Sequence, residues 1–195
     1  MDSKQGITLS PAVILRGKIT IPRQWKHTDG KTYDVLILKD FKGGDGTKGE
    51  KVTHVFMERP EGVTSTAPLL TVANNCFQNN TSLKYFDFGG TSLRHIGQTA
   101  FNKCTSLDFS LIDLTISTLR QIGYGAFNNA GDDSKTADIV LSSSIQHVAP
   151  NGLLGLKLGS NSSLTIGSKA KPSVLNLAKG VSALNQRRKF SSPGW

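Results

Sequence analysis

Asp87 and Asp113 stand 26 residues apart, each between two apolar neighbours, in Phe86-Asp-Phe88 and Ile112-Asp-Leu114. If those stretches are neighbouring strands, the two carboxylates lie about 4.8 Å apart. A pair at that distance can divide acid and base roles in catalysis, or share a cation. More often such a pair is solvated and mildly repulsive. No G-x-S-x-G or H-E-x-x-H sequence accompanies it. With nothing convergent beside the two acids, the expectation is that the chain is not an enzyme.

The other chemistry-bearing residues point the same way. The four histidines are His27, His54, His95 and His147. His95 and His147 fall at equivalent positions two repeats apart, with Gln121 at the position between, so their strands would be about 10 Å apart, too far for one metal. "GDGTKG" (44–49) has the G-x-G-x-x-G spacing, but "EKVTHVF" follows it with strand-like alternation where a dinucleotide fold needs a helix. In "HTDGKTY" (27–33) the Gly-Lys-Thr lacks the earlier glycine of a P-loop, whose place holds Trp25. It reads as an Asp-Gly hairpin turn. Cys76 and Cys104 make neither a disulfide framework nor a zinc cluster, and are expected to be buried as small apolar groups. No cofactor and no metal are expected.

What must position these residues is a repeat. "LLTVANNCF" (69–77), "LRHIGQTAF" (93–101), "LRQIGYGAF" (119–127) and "IQHVAPNGL" (145–153) align, their first residues 24, 26 and 26 positions apart. Alternating pairs recur as well, at Phe86-x-Phe88, Ile112-x-Leu114, Ile139-x-Leu141 and Leu164-x-Ile166. Short alternation predicts short strands, and recurrence every ~26 residues lies in the leucine-rich repeat range. One such unit buries too little to stand alone, whereas stacked units share a continuous apolar spine. Leu93, Leu119 and Ile145 would form one column of that spine, and Phe101, Phe127 and Leu153 another.

The expected fold is a β-rich repeat solenoid, a right-handed leucine-rich repeat stack of parallel short strands. Residues 1–68 read as an irregular N-terminal capping region, 69–170 as the repeats, and 171–195 as a C-terminal helix or tail. Val174, Leu177, Val181 and Leu184 have the spacing of an amphipathic helix with Ser173 as its N-cap.

"ITIP…DGKTYDV", "SLRHIGQTAFNKCTSL" and "TLRQIGYGAFNNA" resemble the BspA-like class of leucine-rich repeats. Ile96, Gly97, Ala100, Phe101, Cys104 and Leu107 match that family's unit one for one. The Pro that follows the family's strand is missing from the three central units, and Cys104 alone keeps the cysteine. The resemblance implies a non-enzymatic binding role. Members are often cell-surface proteins of bacteria or protists involved in adhesion, and similar repeats occur in phage-encoded proteins.

The surface expected to bind is a polar, partly basic ladder. Arg94, Arg120 and Gln146 share one position of the repeat, and His95, Gln121 and His147 the next. Extended faces of this kind are what repeat proteins use to bind partners. The plain alternative is a merely solvated side of the stack. Net charge is +9, with residues 141–195 carrying seven Lys or Arg and no acid. Arg187, Arg188 and Lys189 end that segment as a second candidate contact. Three phosphate contacts would give a salt slope of only about −2.7, so nucleic acid would be held weakly there. An acidic protein surface, or solvent, would serve the tail equally.

The N-terminal apolar run Ala12–Leu15 is too short for a signal peptide, and no stretch approaches the ~18 apolar residues of a membrane-spanning helix. Two settings follow for a protein-binding module. One is a structural component of an assembly such as a phage virion, with other assembly proteins or further copies of itself as partners. The other is a cell-surface adhesin that recognises a host protein or glycan.

Overall fold

The structure, a computed structural model, describes residues 6–44 and 47–166 together with the backbone of 176–177 and 189–191. Its strands stack in parallel, and each coil of the chain contributes to one or both of two sheet faces. On one face runs an eight-stranded sheet. In order along it come β1 (Gly6–Leu9), β4 (Thr32–Leu38), β6 (Thr71–Val72), β8 (His95–Ile96), β9 (Gln121–Ile122), β11 (His147–Val148) and β13 (Asn176–Leu177). Its eighth strand, β3 (Gln24–Lys26), pairs antiparallel with β4. The Asp-Gly turn between β3 and β4 is a hairpin as expected: His27 N donates to Lys31 O at 2.8 Å, and Gly30 takes φ +84°.

The other face is interrupted. β2 (Arg16–Ile21), β5 (Lys51–Met57) and β7 (Tyr85–Phe86) form one three-stranded sheet, and β10 (Asp138–Leu141), β12 (Ser163–Ile166) and β14 (Lys189–Ser191) another. Between them the expected Ile112-x-Leu114 strand is absent. A 3-10 turn occupies Phe109–Leu111, with Asp108 Oδ1 accepting from Ser110 N at 3.0 Å. Asp113 then bends the next residues, accepting from Thr115 N at 2.8 Å and Thr115 Oγ1 at 2.5 Å. Local side-chain bonds of this kind give the backbone an alternative to a sheet ladder. Leu114 still reaches the core.

The repeat rule has a physical basis at each position. In every central rung the second strand residue points inward and is β-branched: Val72, Ile96, Ile122 and Val148 are fully buried. Ala or Gly follows because the preceding coil runs close by; a Cβ on Gly97 would come 2.6 Å from Asn74 N, and one on Gly123 2.7 Å from Gln98 N. The chain then turns through two left-handed residues per coil. Asn75, Thr99, Gly125 and Asn151 hold the first such position, and Asn79, Lys103, Asn129 and Gly155 the second. Asn and Gly are the residues that visit that region most readily, which accounts for their abundance here. These turns also bond from coil to coil, as Asn75 N to Gln98 O (2.8 Å), Phe77 N to Ala100 O (2.7 Å) and Asn79 N to Asn102 O (2.8 Å).

Inside, the two predicted columns are present. Leu93, Leu119 and Ile145 are buried, as are Phe101, Phe127 and Leu153. Phe41, Phe77, Phe101 and Phe127 form a file of rings with centroids 5.2–5.3 Å apart. Cys76 and Cys104 are fully buried free thiols, and burial pushes the pKa of both well up.

Of the expected C-terminal helix, the described residues Asn176–Leu177 are strand. Asn176–Leu177 pairs with β11 and Lys189–Ser191 with β12, both in parallel. At residue 177 the apolar spacing that fits a helix is used as one more rung, Val148↔Leu177. A stack with open backbone groups at its end offers those residues a ladder, and a helix there would leave that ladder unpaired. The remainder of the Ser173–Leu184 span lies outside the described residues.

Candidate functional site

The ladder forms where the repeat places it. Parallel registry sets Thr71 beside His95, His95 beside Gln121, Gln121 beside His147 and His147 beside Asn176. His95 and Gln121 are exposed, and His147 is half-buried. The rungs are fixed by paired backbone bonds. Arg94 N and His95 N both donate to Leu70 O, Arg120 N and Gln121 N to Arg94 O, and Gln146 N and His147 N to Arg120 O. Because Val72, Ile96, Ile122 and Val148 are fully buried, Thr71, His95, Gln121 and His147 are held to the spacing of the strands.

The arginine column is less uniform than the sequence implies. Arg94 is exposed, and so is Gln146. Arg120 folds back, its Nη1 donating to Ser117 O at 2.8 Å and Leu119 O at 3.3 Å. Its charge is therefore drawn toward its own turn. Of the basic tail, Arg187 and Arg188 lie outside the described residues. Lys189 opens β14, which continues the β10–β12 sheet.

Asp87 and Asp113 do not meet as a carboxylate pair. Asp87 is buried, with Arg59 Nη2 at 2.8 and 3.0 Å from its two oxygens and Gly90 N donating to it at 3.0 Å. Asp113 is exposed and closes on Thr115. The burial of Asp87 is explained by Arg59 and the turn it caps, and the break in the sheet removes the strand registry that would have set the acids side by side. Among the described residues no group of three or more His, Cys, Asp or Glu side chains is placed to hold a metal ion.

Sequence reasoning passed over one surface. On the outer side of the β2–β5–β7 sheet, His54, Phe56 and Tyr85 gather their rings. The signal was the alternation in "THVFM", which sends Val55 and Met57 inward and leaves His54 and Phe56 outside. A strand-like run whose outward members are aromatic is the mark that could have found it.

No curated protein matches the sequence. A solved structure described as a leucine rich cell surface protein from Faecalibacterium prausnitzii A2-165 is similar, with a TM-score of 0.49 at 16% sequence identity. The match covers 99% of this chain and 52% of that one, so this chain spans about half of its length. Residues 61–154 match the family model for the BspA type leucine rich repeat region, in six copies. They contain the ladder rungs from Thr71 to His147 and the rings of Phe77, Phe101 and Phe127, and over these residues the chain carries repeats of the BspA type.

Proposed function

We propose that this chain is a non-catalytic protein-binding module of a cell-surface protein, and that it engages its partner through the polar face of the long parallel sheet. The observation that carries the reading is the registered ladder Thr71–His95–Gln121–His147. It offers hydrogen-bonding side chains at fixed spacing on a rigid backbone, which is how solenoids build extended binding surfaces. Arg94 adds a charge beside it. Of the two settings that the sequence leaves open, the six-copy BspA-type match supports the cell surface, because family members are often surface proteins involved in adhesion. Nothing comparable supports a virion component. Among the described residues no helix is long and apolar enough to cross a membrane.

The test uses a triple variant, His95→Ala, Gln121→Ala and His147→Ala. Adherence of the labelled protein to host cells, before and after protease treatment of those cells, reads partner binding. Adherence that depends on cell-surface protein and is lost in the triple variant, with unchanged melting, is the expected result. Adherence undiminished in that variant would remove the ladder from the argument. Recovery of the native protein with extracellular particles, and its absence from protease-shaved envelopes, would restore the assembly reading.

A further inference from the structure

The outer side of the β2–β5–β7 sheet carries a second surface, chemically unlike the ladder. Registry sets Lys18 of β2 and Tyr85 of β7 on either side of His54, with Thr20 beside Phe56. The Phe56 and Tyr85 ring centroids are 5.3 Å apart, His54 and Phe56 6.0 Å, and His54 and Tyr85 6.3 Å. The three rings are half-buried and make one cluster. Lys18 and Lys84 are exposed beside it, and among the described residues neither forms an ion pair. Burial and then the ammonium groups of Lys18 and Lys84 hold the His54 imidazole below its usual pKa, which places both lysines within electrostatic reach of the cluster. Four acids lie in this region: Asp87 pairs with Arg59, Glu58 accepts from the backbone N–H of Arg23 at 2.9 Å, Asp113 near Tyr85 accepts from Thr115, and Asp132 near Lys84 accepts from Ser134.

We propose that this face binds an anionic polysaccharide, with a sugar ring seated on the His54–Phe56–Tyr85 cluster and its carboxylates or sulfates paired with Lys18 and Lys84. Aromatic faces are electronegative and attract the polarised C–H groups of a sugar ring. The lysines supply the charge. Two other polyanions fit the geometry less well. An acidic peptide added as a strand takes a sheet edge; the edges here are β2 and β7, with β5 paired on both sides, so such a peptide would run beside the ring cluster and not over it. A single-stranded nucleic acid stacks successive bases on separate aromatic platforms along a basic track, whereas these rings form a single cluster.

The experiment measures binding of the full chain to immobilised heparin and polygalacturonate, with dextran as the neutral control and oligo-dT and polyglutamate as competitors, at about 150 mM salt. Lys18→Glu and Lys84→Glu are each expected to weaken heparin binding about tenfold or more, the loss of one charge-assisted contact. Phe56→Leu is expected to weaken it without changing its salt dependence. A variant with Arg187, Arg188 and Lys189 all changed to Ala is expected to bind as wild type. Lys18 is exposed, so its reversal leaves folding intact, and melting of each variant checks this. The proposal is overturned if neither anionic glycan binds, if the two lysine reversals leave binding unchanged, or if only the tail variant loses it. Equal competition by oligo-dT or polyglutamate, sensitive to the same variants, would assign the face to nucleic acid or acidic polypeptide instead.

Discussion

Phe101→Ala is the sharpest test of the stack. Phe101 is fully buried. Its ring lies parallel to Phe77 on one side, at 5.3 Å and 5°, and to Phe127 on the other, at 5.2 Å and 5°. Phe86 and Phe88 close around it at 5.4 and 5.3 Å. A buried Phe→Ala change costs about 3–5 kcal/mol, and each aromatic pair adds roughly 0.5–1.5 kcal/mol beyond burial. Two stacked partners are lost at once, so the upper part of that range, about 4–5 kcal/mol, is expected. At about 2–4 °C per kcal/mol for a chain of this size, the melting temperature falls by roughly 8–20 °C. Urea unfolding followed by circular dichroism reads the free energy, and calorimetry reads the melting. Phe101→Leu keeps most of the volume and should lose much less. A Phe101→Ala protein within about 0.5 kcal/mol of wild type, the range of ordinary surface changes, would refute the phenylalanine file as the core.

Other perturbations read other parts of the molecule. Gly123→Ala drives a Cβ to 2.7 Å from the Gln98 and Gly97 backbones, so a loss of about 1–3 kcal/mol is expected from overpacking; unaltered melting would show that the coils separate freely there. His95→Ala and Gln121→Ala, at exposed positions, should each change stability by no more than about 0.5 kcal/mol while reducing adherence. His54 should titrate below the usual imidazole value of 6.5 in a pH series of its ring proton signals, and Lys18→Glu should raise its midpoint. Because its folded pKa is depressed, the unfolded chain binds the proton more tightly. The stabilisation is therefore full above pH 6.5 and fades as pH falls below it. His54→Gln should flatten that part of the stability profile, and an unchanged profile would count against it.

The inward columns were legible because burial repeats one residue type per coil. Leu93, Leu119 and Ile145, and Phe101 and Phe127, announce themselves at a fixed period. The rungs of the long sheet were harder to see as strands. A strand of two residues, such as His95–Ile96, is too short to show alternation, and it is set by its neighbours in the stack. The turns were opaque for a related reason. A left-handed φ at Thr99 follows from the coil's path, since Thr gives no sign of it by type. The failed strand at Ile112–Leu114 had a readable cause in the two Asp-x-Ser/Thr sequences around it, Asp108-Phe-Ser110 and Asp113-Leu-Thr115, whose side chains bond their own backbone. At Leu177 two signals coincided, since one apolar residue can serve a helical stripe or a rung. Only the neighbouring coil decides between them.

The two polar faces differ in size, and size sorts their partners. The long sheet runs through seven successive strands from β1 to β13, about 29 Å at the usual strand spacing. A stable protein interface covers about 800 Å² per partner, and a surface of that length, widened by the flanking arginine column and turns, can supply it. The β2–β5–β7 sheet is three strands across, about 10 Å, and the break at residues 109–115 prevents it from extending along the stack. A patch that narrow falls short of a protein footprint, but it matches one or two sugar rings, with lysines where their charges would lie. The interruption of the second face is thus the feature that gives this solenoid two surfaces of different reach, one scaled to a folded partner and one to a polymer segment.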